Sequence, residues 1–374
     1  MREALHRPRS RRRSRARWTA AADQNLIALR SCLAHEDNKI LASLAWRTNR
    51  CPLSVAQARK ELDPNVAFTR YGGRQSMSSK VLAFINFKGG VGKTATVVNI
   101  AATLAALHEK KVLIVDLDPQ SNSSLWLMRP DRWREHVSRG RRSTFQIFDD
   151  ALQGKNRFDF DEALVKGVIT WTGLTDLPRL HLLPAALELL RIEDRIHELR
   201  PSAIYQILDS ALGMQFKQYN YVLLDCPPNL YSTTKTAIFS ADSCIVPYVP
   251  DYLSLSGFQV LAEQVTEMRE KFAPYLPGRR RPNIGALIVS HYRQTGNVFR
   301  LAVNELELSM AALREAGVLS EQTVLLQPYV RHCVRVAEST SEHLPVILYA
   351  PGSIGAQDYA DLTQRFVDLF ETKK

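Results

Sequence analysis

Residues 81–107 read VLAFINFKGGVGKTATVVNIAATLAAL, and this stretch decides the architecture. A β-rich run, Val81 to Asn86, leads into a glycine-rich turn, Lys88 to Thr94, and the turn opens a long run of helix-compatible residues. Gly89, Gly90 and Gly92 let the backbone turn tightly and aim successive N–H groups at one point. With Val91, Lys93, Thr94 and Ala95 they form a phosphate-binding loop at a helix N-terminus, where the partial positive charge favours an anion. Lys93 is placed to hold β- and γ-phosphates, and the Thr94 hydroxyl offers an oxygen to magnesium, which prefers oxygen ligands.

The pattern continues outward. VLAFIN, KVLIVD, LHLLPA, YVLLD, SCIVPYV and IGALIVS are predicted strands, and helical stretches begin near Thr94, Ile204, Leu255 and Phe299. Strands alternating with helices predict an α/β fold with a mostly parallel sheet, and the unbroken apolar runs VLIV and VLL fit strands covered on both faces. Residues 126–178, charged and carrying Pro130, Gly140, Gly154 and Gly173, read as a helical insertion with loops. Two strands end in carboxylates. VLIVDLDPQ carries Asp116 and Asp118, two apart and so on one face of an extended chain, and YVLLDCPP carries Asp225. Ligands bind such sheets at the carboxyl ends of the strands, which makes these three aspartates candidate site residues. Cys226 has no histidine paired with it in sequence and reads as a packing thiol. His291, His332 and His343 show no metal-ligand spacing.

Charge divides the chain. Of the net +11, residues 1–76 carry +10, from 14 Arg and 2 Lys against 6 acidic residues, so the remainder is close to neutral. Residues 1–76 are therefore a basic N-terminal extension, with three readings open: an interaction tail, a DNA-binding adaptor, or a stretch upstream of a true start at Met77. Residues 77–374 form the second domain. The five cysteines are far apart and fit a reducing cytoplasm. The chain offers neither an apolar spanning run nor a signal-peptide core, so export and membrane insertion are not expected.

Lys88, the first residue of KGGVGKT, narrows the family. A second lysine there resembles the deviant Walker ATPases of the ParA and MinD group. The resemblance extends through LHLLPAALELL and IVPYVPDYLSLSGFQVL to the carboxyl-terminal run PYVRHCVRVAESTSEHLPVILYAPGSIGAQDYADL, almost all of residues 81–370. It implies a doubly wound P-loop NTPase sheet of seven or eight strands, ATP and Mg2+ as cofactors, and an ATP-dependent homodimer in which Lys88 reaches the partner's nucleotide. It assigns Asp118 to positioning the attacking water, Asp116 to the neighbourhood of the magnesium and Asp225 to supporting the metal through water. Arg335 falls where Soj-like ParA proteins carry an arginine for non-specific DNA binding, and Arg293 lies near a second such position. The expected role is chromosome or plasmid partitioning, in the cytoplasm on the nucleoid, with a ParB-like centromere-binding partner stimulating hydrolysis. A MinD-like positioning ATPase and an ATP-switched transcriptional regulator using residues 1–76 are the alternatives. The final helix argues against the membrane reading, because its polar face carries Asp358, Asp361, Asp368 and Glu371. Ala95 departs from the family's usual threonine, and Ser121 from its usual glycine.

Overall fold

The computed structural model describes residues 79–138, 142–169, 175–276, 282–295 and 297–371. The basic extension 1–76, with all three readings of it, lies outside them.

The strands are β1 (Lys80–Phe84), β2 (Val112–Asp116), β3 (Val165–Ile169), β4 (Thr175–Leu183), β5 (Tyr221–Asp225), β6 (Ser243–Tyr248), β7 (Ile284–Val289) and β8 (Val324–Leu326). They form one eight-stranded sheet in the order β3-β4-β2-β5-β1-β6-β7-β8. Every pairing is parallel except β3 with β4. The apolar runs VLIV and VLL are buried at every position, as a sheet covered on both faces requires.

The helices that flank the sheet include α1 (Lys93–Ala106), α2 (Asn122–Leu127), α3 (Pro130–Ser138), α4 (Thr144–Gln153), α5 (Pro201–Phe216), α6 (Ser232–Ser240), α7 (Tyr252–Phe272), α8 (Asn297–Glu315), α9 (Val334–Ser341) and α10 (Ile354–Glu371). On one face of the sheet, α1, α2 and α10 enclose a core around Leu82, Ile114 and Leu223. On the other, α4 to α8 enclose a second core around Ala83, Val115 and Val222. The sheet is thus doubly wound. α1 is buried almost all round because α10 lies against it, and Asn99 on α1 accepts the Val346 N–H at 2.8 Å.

Two features differ from the sequence reading. The end of residues 126–178 is not helical: after a short helix at Phe160–Ala163, β3 and the start of β4 form an antiparallel hairpin on the sheet edge. Gly167 and Leu177 with positive φ, and Pro178 with no N–H to donate, break the alternation that signals a strand. The polar face of α10 is also less exposed than its composition implies. Asp358 is buried and receives Nε and Nη2 of Arg331 together with the Arg331 backbone N–H. Glu371 accepts from Lys110 and from the Tyr221 hydroxyl. With Leu362 and Phe366 fully buried on its other side, α10 is a core helix.

His108, just after α1, is held by burial and by nearby Lys110 at a pKa of about 4 instead of 6.5. The fold keeps this imidazole neutral. Its contribution to stability is complete above pH 6.5 and is lost as pH falls toward 4, amounting to about 2 kcal/mol between pH 7 and pH 5. Urea unfolding at those two pH values should show a drop of that order that His108→Leu removes.

Candidate nucleotide site

The strand order sets β2, β5 and β1 side by side, so their carboxyl ends deliver Asp116, Asp225 and the glycine-rich loop to one place. β1 is also where the chain's winding reverses, the position at which open α/β sheets hold ligands.

Gly90 and Gly92 take left-handed φ values of 77° and 73°. A Cβ on Gly89 or Gly90 would meet no atom within 4 Å, whereas one on Gly92 would lie 3.1 Å from His291 Nε2. The loop is open toward a ligand and backed by β7. Ser290, at the end of β7, donates its hydroxyl to the Val91 carbonyl at 2.7 Å. A cleft of about 490 Å3 runs along residues 88–95 and on past Asp118, Trp126 and His343. Ala95 lines it with a methyl where a hydroxyl would otherwise stand.

Asp225 is fully buried. Its Oδ2 accepts the Thr94 hydroxyl at 2.9 Å and the Ser123 hydroxyl at 2.6 Å. Its Oδ1 has no hydrogen-bond partner and lies 3.7 Å from Lys93 Nζ. A buried carboxylate oxygen without a donor, beside a threonine hydroxyl and a lysine, suits a hydrated magnesium ion carrying phosphates.

Asp116 is the register partner of Asp225 across β2 and β5. Burial, and then repulsion from Asp225, push its carboxyl well above the usual carboxylate range. Both its oxygens are already taken: Oδ1 accepts the Asp118 N–H, and Oδ2 accepts the N–H and hydroxyl of Ser124. This arrangement makes Asp116 a brace for the Asp118 turn more than an open metal ligand. Asp118 itself lines the cleft and accepts the Gln120 N–H at 2.9 Å. Burial raises its pKa, against the pull of that bond and of Lys93.

Lys88 stands at the mouth of the cleft, where its Nζ bonds Asp251 Oδ2 at 2.6 Å and Ser254 Oγ at 3.2 Å. Both members of the pair are more than a third exposed, so solvent screens the contact and the lysine can leave it at little cost. Arg335, near the start of α9, pairs with Glu338. Glu338 also accepts the Tyr349 hydroxyl at 3.1 Å. Arg293 is exposed and follows Tyr292, which bridges to Arg331, so the two candidate arginines lie on adjoining segments. Ser123, Ser124, Asp251 and Ser290 carry no motif of their own and were not singled out from the sequence.

A family profile described as an AAA domain matches residues 79–277. The sporulation initiation inhibitor protein Soj of Bacillus subtilis is 30% identical over 288 residues, 76% of this chain and 97% of Soj. The chain belongs to the ParA/MinD superfamily of P-loop ATPases. The chromosome partitioning protein ParA of Caulobacter vibrioides is 28% identical over 77% of this chain and 94% of that protein. In fold, this ParA/MinD-type chain is similar to the septum site-determining protein MinD of Pyrococcus horikoshii, solved with Mg-ADP, at a TM-score of 0.54 and 21% identity. That match covers 79% of this chain and 99% of MinD. Cys226 fits the packing reading, since it is fully buried and burial raises its thiol pKa. Among the described residues no helix is long and apolar enough to cross a membrane.

Proposed function

We propose that the chain binds Mg-ATP, dimerises around it, binds DNA without sequence preference in that state and hydrolyses ATP to let go, a cycle suited to chromosome or plasmid partitioning. The observation that carries this reading is Lys88. It is a cation at the cleft mouth, tethered to its own chain by a screened pair with Asp251 and a longer bond to Ser254, and able to leave them for a second copy's nucleotide.

In this account the loop N–H groups and Lys93 hold the phosphate chain. Thr94 and Asp225 would hold a hydrated magnesium ion, which would supply positive charge to the phosphates. Asp118 orients the attacking water, and its raised pKa suits a group that shares a proton. Lys88 from the second copy adds positive charge where negative charge develops. Asp116, with Ser124, keeps the Asp118 turn in place.

DNA binding is assigned to Arg335, with Arg293 in support. In a dimer each arginine appears twice, which makes a phosphate-binding face although residues 77–374 are nearly neutral overall. The Glu338 partner means that a DNA phosphate must replace an existing carboxylate contact. A ParB-like partner that stimulates hydrolysis is part of the same proposal, supported by the resemblance to chromosome partitioning protein ParA.

The test is DNA binding by fluorescence anisotropy at 50 and 150 mM salt, with ADP as the background for any contribution of the basic extension. The ATP-dependent component should weaken about tenfold or more in Arg335→Glu and fall steeply with salt. Equal ATP-dependent binding by wild type and Arg335→Glu contradicts the assignment of this face.

A further inference from the structure

We propose that Ser123 is a positioning residue for the magnesium site: its hydroxyl fixes which oxygen of Asp225 is offered to the metal. The proposal rests on the reading of the loop as a Mg-ATP site and deepens it.

Ser123 lies in the first turn of α2 and is fully buried. Ser121 enters that turn with a left-handed φ of 54°. Successive residues of an α-helix project about 100° apart, so neighbouring side chains can serve different targets. Here Ser124 gives its hydroxyl to Asp116 and Ser123 gives its hydroxyl to Asp225. Each serine holds one of two buried carboxylates that face each other across β2 and β5.

The consequence lies in how Asp225 is oriented. The torsion that turns a carboxylate is broad and two-fold, so a single hydrogen bond leaves it loosely set. Thr94 alone makes a 2.9 Å bond to Oδ2, and Ser123 adds a second at 2.6 Å to the same oxygen. With Oδ2 held twice, Oδ1 is directed away without a donor, 3.7 Å from Lys93 Nζ. That distance is too long for a hydrogen bond. Ser123 therefore does two things through Asp225. It presents Oδ1 to the water shell of the metal, and it keeps the carboxylate from closing on Lys93, which stays available to phosphate. No charge is added to the site.

The experiment follows Mg2+ dependence of nucleotide binding without turnover. A non-hydrolysable ATP analogue is titrated by calorimetry across a series of Mg2+ concentrations, and Mn2+ is titrated by electron paramagnetic resonance, on wild type, Ser123→Ala and Ser123→Thr, with melting by circular dichroism as the check on folding. The bond at stake is to a charged acceptor, so Ser123→Ala should require roughly tenfold more Mg2+ or Mn2+ for half-maximal effect. Its affinity for the analogue without metal should fall by a smaller factor than the metal midpoint shifts, because only the Lys93 contact is then at stake, and Ser123→Thr, which keeps the hydroxyl, should return toward wild type. A Ser123→Ala midpoint equal to that of wild type overturns the proposal, as does a lowered melting temperature with no shift in the metal midpoint, which would make Ser123 a packing residue. A wild-type chain that binds no nucleotide at all would instead remove the Mg-ATP reading on which the proposal stands.

Discussion

Lys88→Ala is expected to bind Mg-ATP as the wild type does, to remain monomeric in its presence, and to hydrolyse it at least about a thousandfold more slowly, the range seen when a cation delivered from outside the site is removed. The expectation follows from where the side chain stands. Lys93 is almost buried between the loop and Asp225, and in the proposed site it holds the phosphates of its own chain's nucleotide. Lys88 is 40% exposed, and among the described residues its ammonium bonds Asp251 and Ser254, outside the phosphate cradle. Removing it leaves the glycine loop, Lys93, Thr94 and Asp225 as they are, so nucleotide affinity should persist in a filter-binding or calorimetric assay. Phosphate release measured on the same samples should collapse. Loss of nucleotide binding together with hydrolysis would mean that Lys88 belongs to its own chain's site.

The second large effect is expected at Asp118. Asp118→Ala should bind Mg-ATP, stay dimeric for as long as ATP is present, and hydrolyse it about a hundred- to ten-thousandfold more slowly, the span typical of removing a group that positions and deprotonates a nucleophile. Its carboxylate lines the cleft and is held by the Gln120 N–H, while Lys93 and burial pull its proton affinity in opposite directions. Neither the loop nor Thr94 depends on it, so binding and hydrolysis separate. Quenched-flow measurement of product against time distinguishes this from slow nucleotide binding: bound ATP should accumulate unhydrolysed in the variant.

The parts of the account that were legible in the sequence are those that repeat a local rule. KGGVGKT between a strand and a helix declares its loop because left-handed glycines and a helix N-terminus are local requirements, and Gly90 and Gly92 take that conformation. VLIVD and YVLLD declare buried parallel strands because every residue in them is apolar up to the terminal aspartate, and every residue in them is buried. β3, the start of β4 and β8 were harder. A Gly167 bulge, Pro178 and Leu177 with positive φ interrupt the hairpin, and β8 is three residues long, too short to carry a period. Asp358 shows the limit of composition: it looks like one acidic residue of a solvent-facing stripe, but Arg331, 27 residues away, draws it into the core. Ser123, Ser290 and Asp251 escaped for the same reason. Their meaning lies in contacts over 102, 199 and 163 residues of chain, which no local pattern encodes.

Asp116 illustrates a different limit. Its place two residues before Asp118 marks it as a site residue, but the sequence does not say how it acts. The structure gives both its oxygens to Asp118 and Ser124, and the strain of a second buried carboxylate beside Asp225 appears as a raised pKa. Bound magnesium and the Lys93 charge would relieve that repulsion, which ties the stability of the turn to the loaded state.

The most direct test of the central claim, an ATP-driven dimer built on Lys88, is sedimentation velocity of the Asp118→Ala chain without nucleotide, with Mg-ADP and with Mg-ATP. The account predicts a monomer in the first two conditions and a dimer only in the third, with Asp118→Ala combined with Lys88→Ala monomeric throughout; a sedimentation coefficient that is the same in all three conditions, or a dimer that survives loss of Lys88, would contradict it.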